Sequence, residues 1–131
     1  MTTNVFDLLS ALTTKPYIFA MHVPLVPQPK DRPRFLDGHT TTSRRTRAYE
    51  DILRDYTMTV PTPTIPVTCP LAAAFVFTGA HHQCDWDNLA KAAMDALQGI
   101  VFKNDRQIRR ATVLLAEGDE PTVSIALAPL P

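Results

Sequence analysis

Residues 71–108 read LAAAFVFTGAHHQCDWDNLAKAAMDALQGIVFKNDRQI, and the changes of pattern inside this stretch decide the fold. Leu71 to Thr78 is apolar up to its last residue, as expected of a central strand covered on both faces. Gly79 to Cys84 turns out of that strand. From Asn88 to about Gly99 the spacing becomes helical, with Leu89, Ala93, Ala96, Leu97 and Ile100 as the apolar stripe and Gly99 as the C-terminal stop. The apolar run Ile100-Val101-Phe102 then leads into Lys103-Asn104-Asp105.

Working outward, Gln107 to Glu117 and Pro121 to Ala128 read as two strands around an acidic Gly-Asp turn. Upstream, Asn4 to Thr13 places Val5, Leu8, Leu9 and Leu12 at helical spacing, with Thr3 or Asn4 as N-cap. Lys15-Pro16 breaks that helix, and Tyr17 to Leu25 reads as a strand. The segment from Val26 to Phe35 is too rich in proline for regular structure, and Thr40 to Ser43 is a polar loop. A second helix is expected from about Arg44 to Tyr56, with Tyr49, Ile52, Leu53 and Tyr56 on its buried face. Residues 59–70 form a proline-punctuated linker. The expected fold is a single α+β domain over 15–131, helices packed against a small mixed sheet, with residues 1–14 as a helical extension that packs on the core or on a second subunit.

With 131 residues, 45% of them hydrophobic and 20% charged, the chain suits one globular domain. Its formal charge is zero, from 13 basic and 13 acidic side chains, but the distribution is uneven. Lys30, Arg32, Arg34, Arg44, Arg45 and Arg47 form one basic stretch, and Lys103, Arg106, Arg109 and Arg110 another. Two cysteines, Cys69 and Cys84, make no disulfide framework, which points to a reducing, cytoplasmic setting. No apolar run approaches the roughly 20 residues that span a bilayer, and no signal peptide pattern is present.

The densest chemistry lies between Asp85 and Gln107. If Asp85 and Asp87 precede the helix in extended chain, their side chains point the same way and repel unless a cation lies between them. Mg²⁺ accepts such an oxygen-only arrangement and keeps waters for a substrate. Lys91, one helical turn after Asp87, can balance the acids, bind a scissile phosphate or stabilise a leaving oxygen. A chain that turns back along the sheet would bring Asp105 to the same place, giving three carboxylates and a lysine suited to phosphodiester hydrolysis. Each residue also has a plainer use: D-x-D as a helix cap, Lys91 and Asp95 as a surface pair, Asp105 as a turn former. His81-His82 lacks a second ligand pair at zinc spacing, and Trp86 packs on the domain or stacks on an unpaired base.

The order of residues from Asp85 to Ile108 resembles the signature of RusA-family endodeoxyribonucleases, D-x-D-N-L-x-K-x-x-x-D-A-L followed by an aspartate and Gln-Ile. Pro29-Lys-Asp-Arg-Pro-Arg-Phe35 and Arg47-Ala-Tyr-Glu50 are similar to that family's upstream segment, so the likeness covers roughly residues 17–128. It implies a homodimer that binds branched DNA and resolves four-way (Holliday) junctions by paired symmetric nicks, in recombination and repair. It further implies that Asp85, Asp87 and Asp105 hold Mg²⁺, with Mn²⁺ as a substitute, and that Lys91 is the catalytic lysine. Small resolvases of this kind are often carried by phages and prophages. Where family members often carry two consecutive acids, this chain has Asn104-Asp105, and the ligand role goes to Asp105. Basic residues often found before the D-x-D are replaced by His81, His82, Gln83 and Cys84. DNA contact is therefore expected from Lys30, Arg32, Arg34, Arg44 and Arg45, joined by Lys103 and Arg106 beside the site. The alternatives are a nuclease of flaps and forks, and a non-catalytic branched-DNA-binding protein with the same fold.

Overall fold

The computed structural model describes residues 4–31, 34–36, 38–41 and 43–131, with the side chains of 34–36 and 39–41 outside the description. In chain order the elements are α1 (Val5–Ser10), β1 (Phe19–Val23), β2 (Arg34–Leu36), β3 (His39–Thr41), α2 (Arg44–Thr57), β4 (Leu71–Thr78), α3 (Trp86–Leu97), a 3₁₀ turn (Asp105–Gln107), β5 (Ile108–Ala116) and β6 (Thr122–Pro129). Four strands form one mixed sheet in the order β1-β6-β4-β5, parallel between β4 and β5 and antiparallel elsewhere, while β2 and β3 form a separate short hairpin.

β4 is apolar throughout because both of its faces are covered. Ala73, Phe75 and Phe77 join Phe19, Met21, Val23, Tyr49, Leu53, Leu89, Ala93 and Leu97 in the larger core beneath α2 and α3. Ala72, Ala74 and Val76 face the other way and meet Val5, Leu9, Ala126 and Ala128. The alanines on that second face let the short α1 lie close against the sheet. Asn4 caps α1 by accepting from the Phe6 amide, and the helix packs on β4 and β6 of its own chain. Thr13 and Arg110 tie down its exit, through the Pro129 carbonyl at 2.8 Å and the Leu12 carbonyl at 3.1 Å. The extension thus shares the core of the domain.

Four expectations need correction. β5 and β6 are not neighbours, because β4 lies between them and the acidic turn crosses over its end. Gly118 permits that crossing, since a Cβ there would stand 2.9 Å from the Thr78 methyl. The polar loop at 40–43 is partly β-structure, with β3 reaching Thr41. On α2, Tyr49 and Leu53 are buried, but Ile52 and Tyr56 are about two-fifths exposed. The buried stripe instead runs through Thr46, Glu50 and Thr57, polar residues whose burial is compensated by hydrogen bonds from the Asp31 amide, from Lys30 and to the Leu53 carbonyl. Finally, α3 begins at Trp86, not Asn88, so Asp85 is its N-cap residue and Asp87 lies in its first turn. The two carboxylates therefore do not alternate along an extended segment. Residues on a helix are spaced about 100° apart around its axis, so a separation of two positions does not put side chains on one face.

Candidate active site

The start of α3 and the loop after it build the site. Asp85 has extended backbone at the N-cap, yet its side chain makes no capping hydrogen bond, which leaves the carboxylate available. Asp87 accepts from the Asn88 amide at 2.9 Å. Both acids are exposed at the positive end of the helix dipole, where negative charge is favoured. Lys91, one turn after Asp87, lies along the same edge of the helix as Asp87.

The chain returns to Lys91 by a well-anchored loop. α3 stops at Gln98, and Gly99 takes a φ of 89°, the left-handed conformation that ends helices. Val101 and Phe102 are fully buried and fasten the descending segment. Asn104 then caps the 3₁₀ turn in a capping box with Gln107. The Gln107 side chain does more than cap. Its Oε1 accepts from the amides of Lys103 and Asn104 at 2.9 and 2.7 Å, and its Nε2 donates to the carbonyls of Val67 and Cys69 at 2.9 and 3.0 Å. The Asp105 amide donates to Gln98 Oε1 at 3.0 Å. These contacts leave the Asp105 carboxylate to meet Lys91, with Nζ to Oδ2 at 2.8 Å across fourteen residues of sequence. Asn104, not Asp105, is the turn former.

Lys91 also contacts Asp95 at 3.1 Å. The Asp105 hydrogen bond, followed by that of Asp95, raises the Lys91 pKa above its ordinary 10.5 against the opposing effect of burial. Lys91 is therefore a cation at neutral pH. It can hold a phosphate oxygen or neutralise a leaving oxygenate. Among the described residues, no three His, Cys, Asp or Glu side chains are gathered closely enough to hold a metal ion as they stand. The donor chemistry of Asp85, Asp87 and Asp105 nevertheless suits Mg²⁺, which takes one or two carboxylates and fills its remaining positions with water.

An open cleft of about 610 Å³ borders Asp85. Pro27, Pro29, Lys30, Arg45, His81, Gln83 and Cys84 are among the residues that line it. A second cavity, about 490 Å³, lies between α1 and the sheet and includes none of the expected site residues. Its mainly apolar lining offers no hydrolytic chemistry.

The expected DNA contacts divide. Arg44 and Arg45 are exposed in the first turn of α2, which carries no acid of its own and where the helix dipole disfavours cations; Arg45 reaches Asp31 at 4.0 Å, at the edge of ion-pair distance. Lys103 and Arg106 are exposed on either side of Asp105. Arg32 lies outside the described residues, and Arg34 is on β2 with its side chain outside the description. Lys30 differs from the free cation that a phosphate contact needs. Its side chain is only 20% exposed and is held by Glu50 at 2.8 Å and Asp95 at 3.0 Å. Burial is the largest influence on Lys30 and lowers its pKa, but the bonds and charges of Glu50 and Asp95 together outweigh it, leaving the pKa raised. Sequence reasoning missed Glu50, Gln98 and Gln107. For Gln107 a signal was present, the Asn-x-x-Gln spacing of a capping box.

A family model described as endodeoxyribonuclease RusA matches residues 24–128, about four fifths of the chain. The chain belongs to the RusA family. That match takes in β2 to β6 and every element of the site, while α1 and β1 precede it. No curated protein matches the chain. The RusA assignment makes this a nuclease fold for branched DNA, and no helix of the described residues is long and apolar enough to cross a membrane.

Proposed function

We propose that this RusA-family chain resolves four-way DNA junctions by Mg²⁺-dependent hydrolysis, acting as a homodimer that makes paired symmetric nicks during recombination and repair in the cytoplasm of a bacterial or phage-infected cell. The observation that carries this reading is the Lys91–Asp105 contact at 2.8 Å, which joins the first half of α3 to the loop after it, on the helix whose start carries the exposed Asp85 and Asp87. A lysine cation held by Asp105 and Asp95 suits a phosphodiester, whose transition state carries negative charge that a cation stabilises. Asp85, Asp87 and Asp105 would hold the Mg²⁺, with Mn²⁺ able to replace it, and the ion would supply an activated water and charge neutralisation. Lys91 orients the phosphate and stabilises the departing oxygen. Arg44, Arg45, Lys103 and Arg106 contact the DNA backbone, joined by Arg32 and Arg34. A twofold dimer would match the two equivalent strands of a junction.

The test is cleavage of an end-labelled mobile four-way junction in Mg²⁺ by the wild type and by Asp87→Asn, which keeps the side-chain shape and removes one charge. Paired symmetric nicks from the wild type, absent in a variant that still binds the junction, are expected. Cutting of flaps and linear DNA at equal rates would make it a general nuclease. Binding without cutting in either Mg²⁺ or Mn²⁺ would make it a non-catalytic DNA-binding protein.

A further inference from the structure

Lys91 carries a flexible four-carbon stem, and such a side chain is a poor fixture unless its ammonium is held. We propose that Asp95 is the positioning residue of the site: one of its oxygens holds the Lys91 ammonium in reach of Asp105, and the other is itself held by Lys30, which Glu50 braces from behind. This inference rests on the nuclease reading only for the role given to Lys91.

A lone Lys–Asp pair four apart on a helix surface is a weak and mobile contact. The Asp95 pair is not lone, and although Lys91 is 47% exposed its partner carboxylate is largely buried. Its Oδ1 meets Lys91 at 3.1 Å and its Oδ2 meets Lys30 at 3.0 Å, and the side chain is only 19% exposed. Lys30 comes from the proline-rich segment, and its own amide donates to the Asn88 carbonyl in the first turn of α3 at 3.0 Å. Its ammonium also reaches Glu50, whose side chain is 8% exposed, at 2.8 Å. Arg54 closes the group, reaching Glu50 at 3.5 Å and the main-chain carbonyl of Asp95 at 3.2 Å. Charge alternates along the line Glu50, Lys30, Asp95, Lys91, Asp105. Both Asp95 oxygens are occupied, so its carboxylate cannot rotate without losing a cation. The line thus runs from the middle of α2, through the proline-rich segment and α3, to Asp105 on the 3₁₀ turn. On this account Lys30 acts inside the fold instead of on DNA.

Two measurements test the brace with Asp95→Asn, Lys30→Gln and the double variant: steady-state cleavage of the four-way junction, and ¹⁵N spectra of the lysine ammonium groups with the Lys91 signal assigned through Lys91→Arg. Each single variant is expected to lower kcat about tenfold with KM within about twofold, because a displaced catalytic group costs turnover more than binding. The double variant should be no slower than Asp95→Asn, since both changes break the same line. Lys30→Arg should retain turnover. The Lys91 ammonium signal, visible in the wild type because a held ammonium exchanges slowly with water, should vanish in both single variants. Should Asp95→Asn fail to fold, Lys30→Gln carries the test, since Lys30 does not touch Lys91. The proposal is overturned if kcat is unchanged, if the Lys91 signal persists in both variants, or if Lys30→Gln raises KM and flattens the salt dependence at normal kcat, the behaviour of a phosphate contact. A wild type that cuts no junction would sink the nuclease reading alone, and the ammonium spectra would still decide the brace.

Discussion

Gln107→Glu is the sharpest test of how the site is built, because it changes one atom type in a group that makes four hydrogen bonds. The wild-type amide accepts from the Lys103 and Asn104 amides and donates to the Val67 and Cys69 carbonyls. A carboxylate keeps the two accepted bonds. Its second oxygen then faces two carbonyl oxygens where two donated bonds had been. Losing those bonds costs about 1–3 kcal/mol at the usual 0.5–1.5 kcal/mol each, and the unfavourable contact of a half-buried anion adds to this, for a total of about 2–4 kcal/mol. That is a large share of the roughly 5–15 kcal/mol that stabilises a typical domain, and it corresponds to a Tm lower by roughly 10 °C. The fold favours the protonated carboxyl, which can donate one bond, so the folded pKa of Glu at this position stands above its unfolded value. The deficit relative to wild type is then largest at neutral pH and shrinks as pH falls through that raised pKa. Urea unfolding of both proteins at pH 7 and pH 5 measures this directly. A deficit under about 0.5 kcal/mol at pH 7, or one that grows on acidification, would refute the reasoning, since either result means that the Gln107 donors contribute nothing net. Turnover should fall as well, because Asp105 sits on the turn that Gln107 closes.

Leu9→Ala should destabilise the protein by about 2–4 kcal/mol in urea melts at a concentration low enough to keep it monomeric, because α1 covers the sheet of its own chain. A loss seen only at concentrations where the chain self-associates would assign the helix to an interface between copies. The pair of changes Arg44→Gln and Arg45→Gln should weaken junction binding and lower the slope of log K against log salt by about 1–2, while leaving kcat at saturating DNA near that of wild type. An unchanged slope would remove the start of α2 from the DNA-binding surface.

Much of this protein was legible in its residues. β4 spans Leu71–Thr78 as the apolar run requires, and the stripe of α3 buries Leu89, Ala93, Ala96 and Leu97 as its spacing requires. Both signals are local, set by alternation or by helical period, and they survive whatever the rest of the chain does. The Asp85, Asp87, Lys91 and Asp105 set was read from residue type and spacing; it lies inside the segment the RusA model matches, and the fold brings Lys91 and Asp105 of it into contact. Tertiary structure alone decided the rest. A hairpin between β5 and β6 looked natural because they are consecutive, yet β4 takes the place between them, since the strand covered on both faces must sit inside the sheet. The buried stripe of α2 was misread because Thr46, Glu50 and Thr57 are polar, and their burial depends on partners elsewhere in the chain. Lys30 looked like one more cation in a basic stretch. Its two carboxylates come from α2 and α3, 20 and 65 residues away in sequence, and no spacing rule within a single element reaches that far. Side-chain period fixes which face of an element is apolar, but which cations are free and which are already taken depends on the partners that the folded chain brings to them.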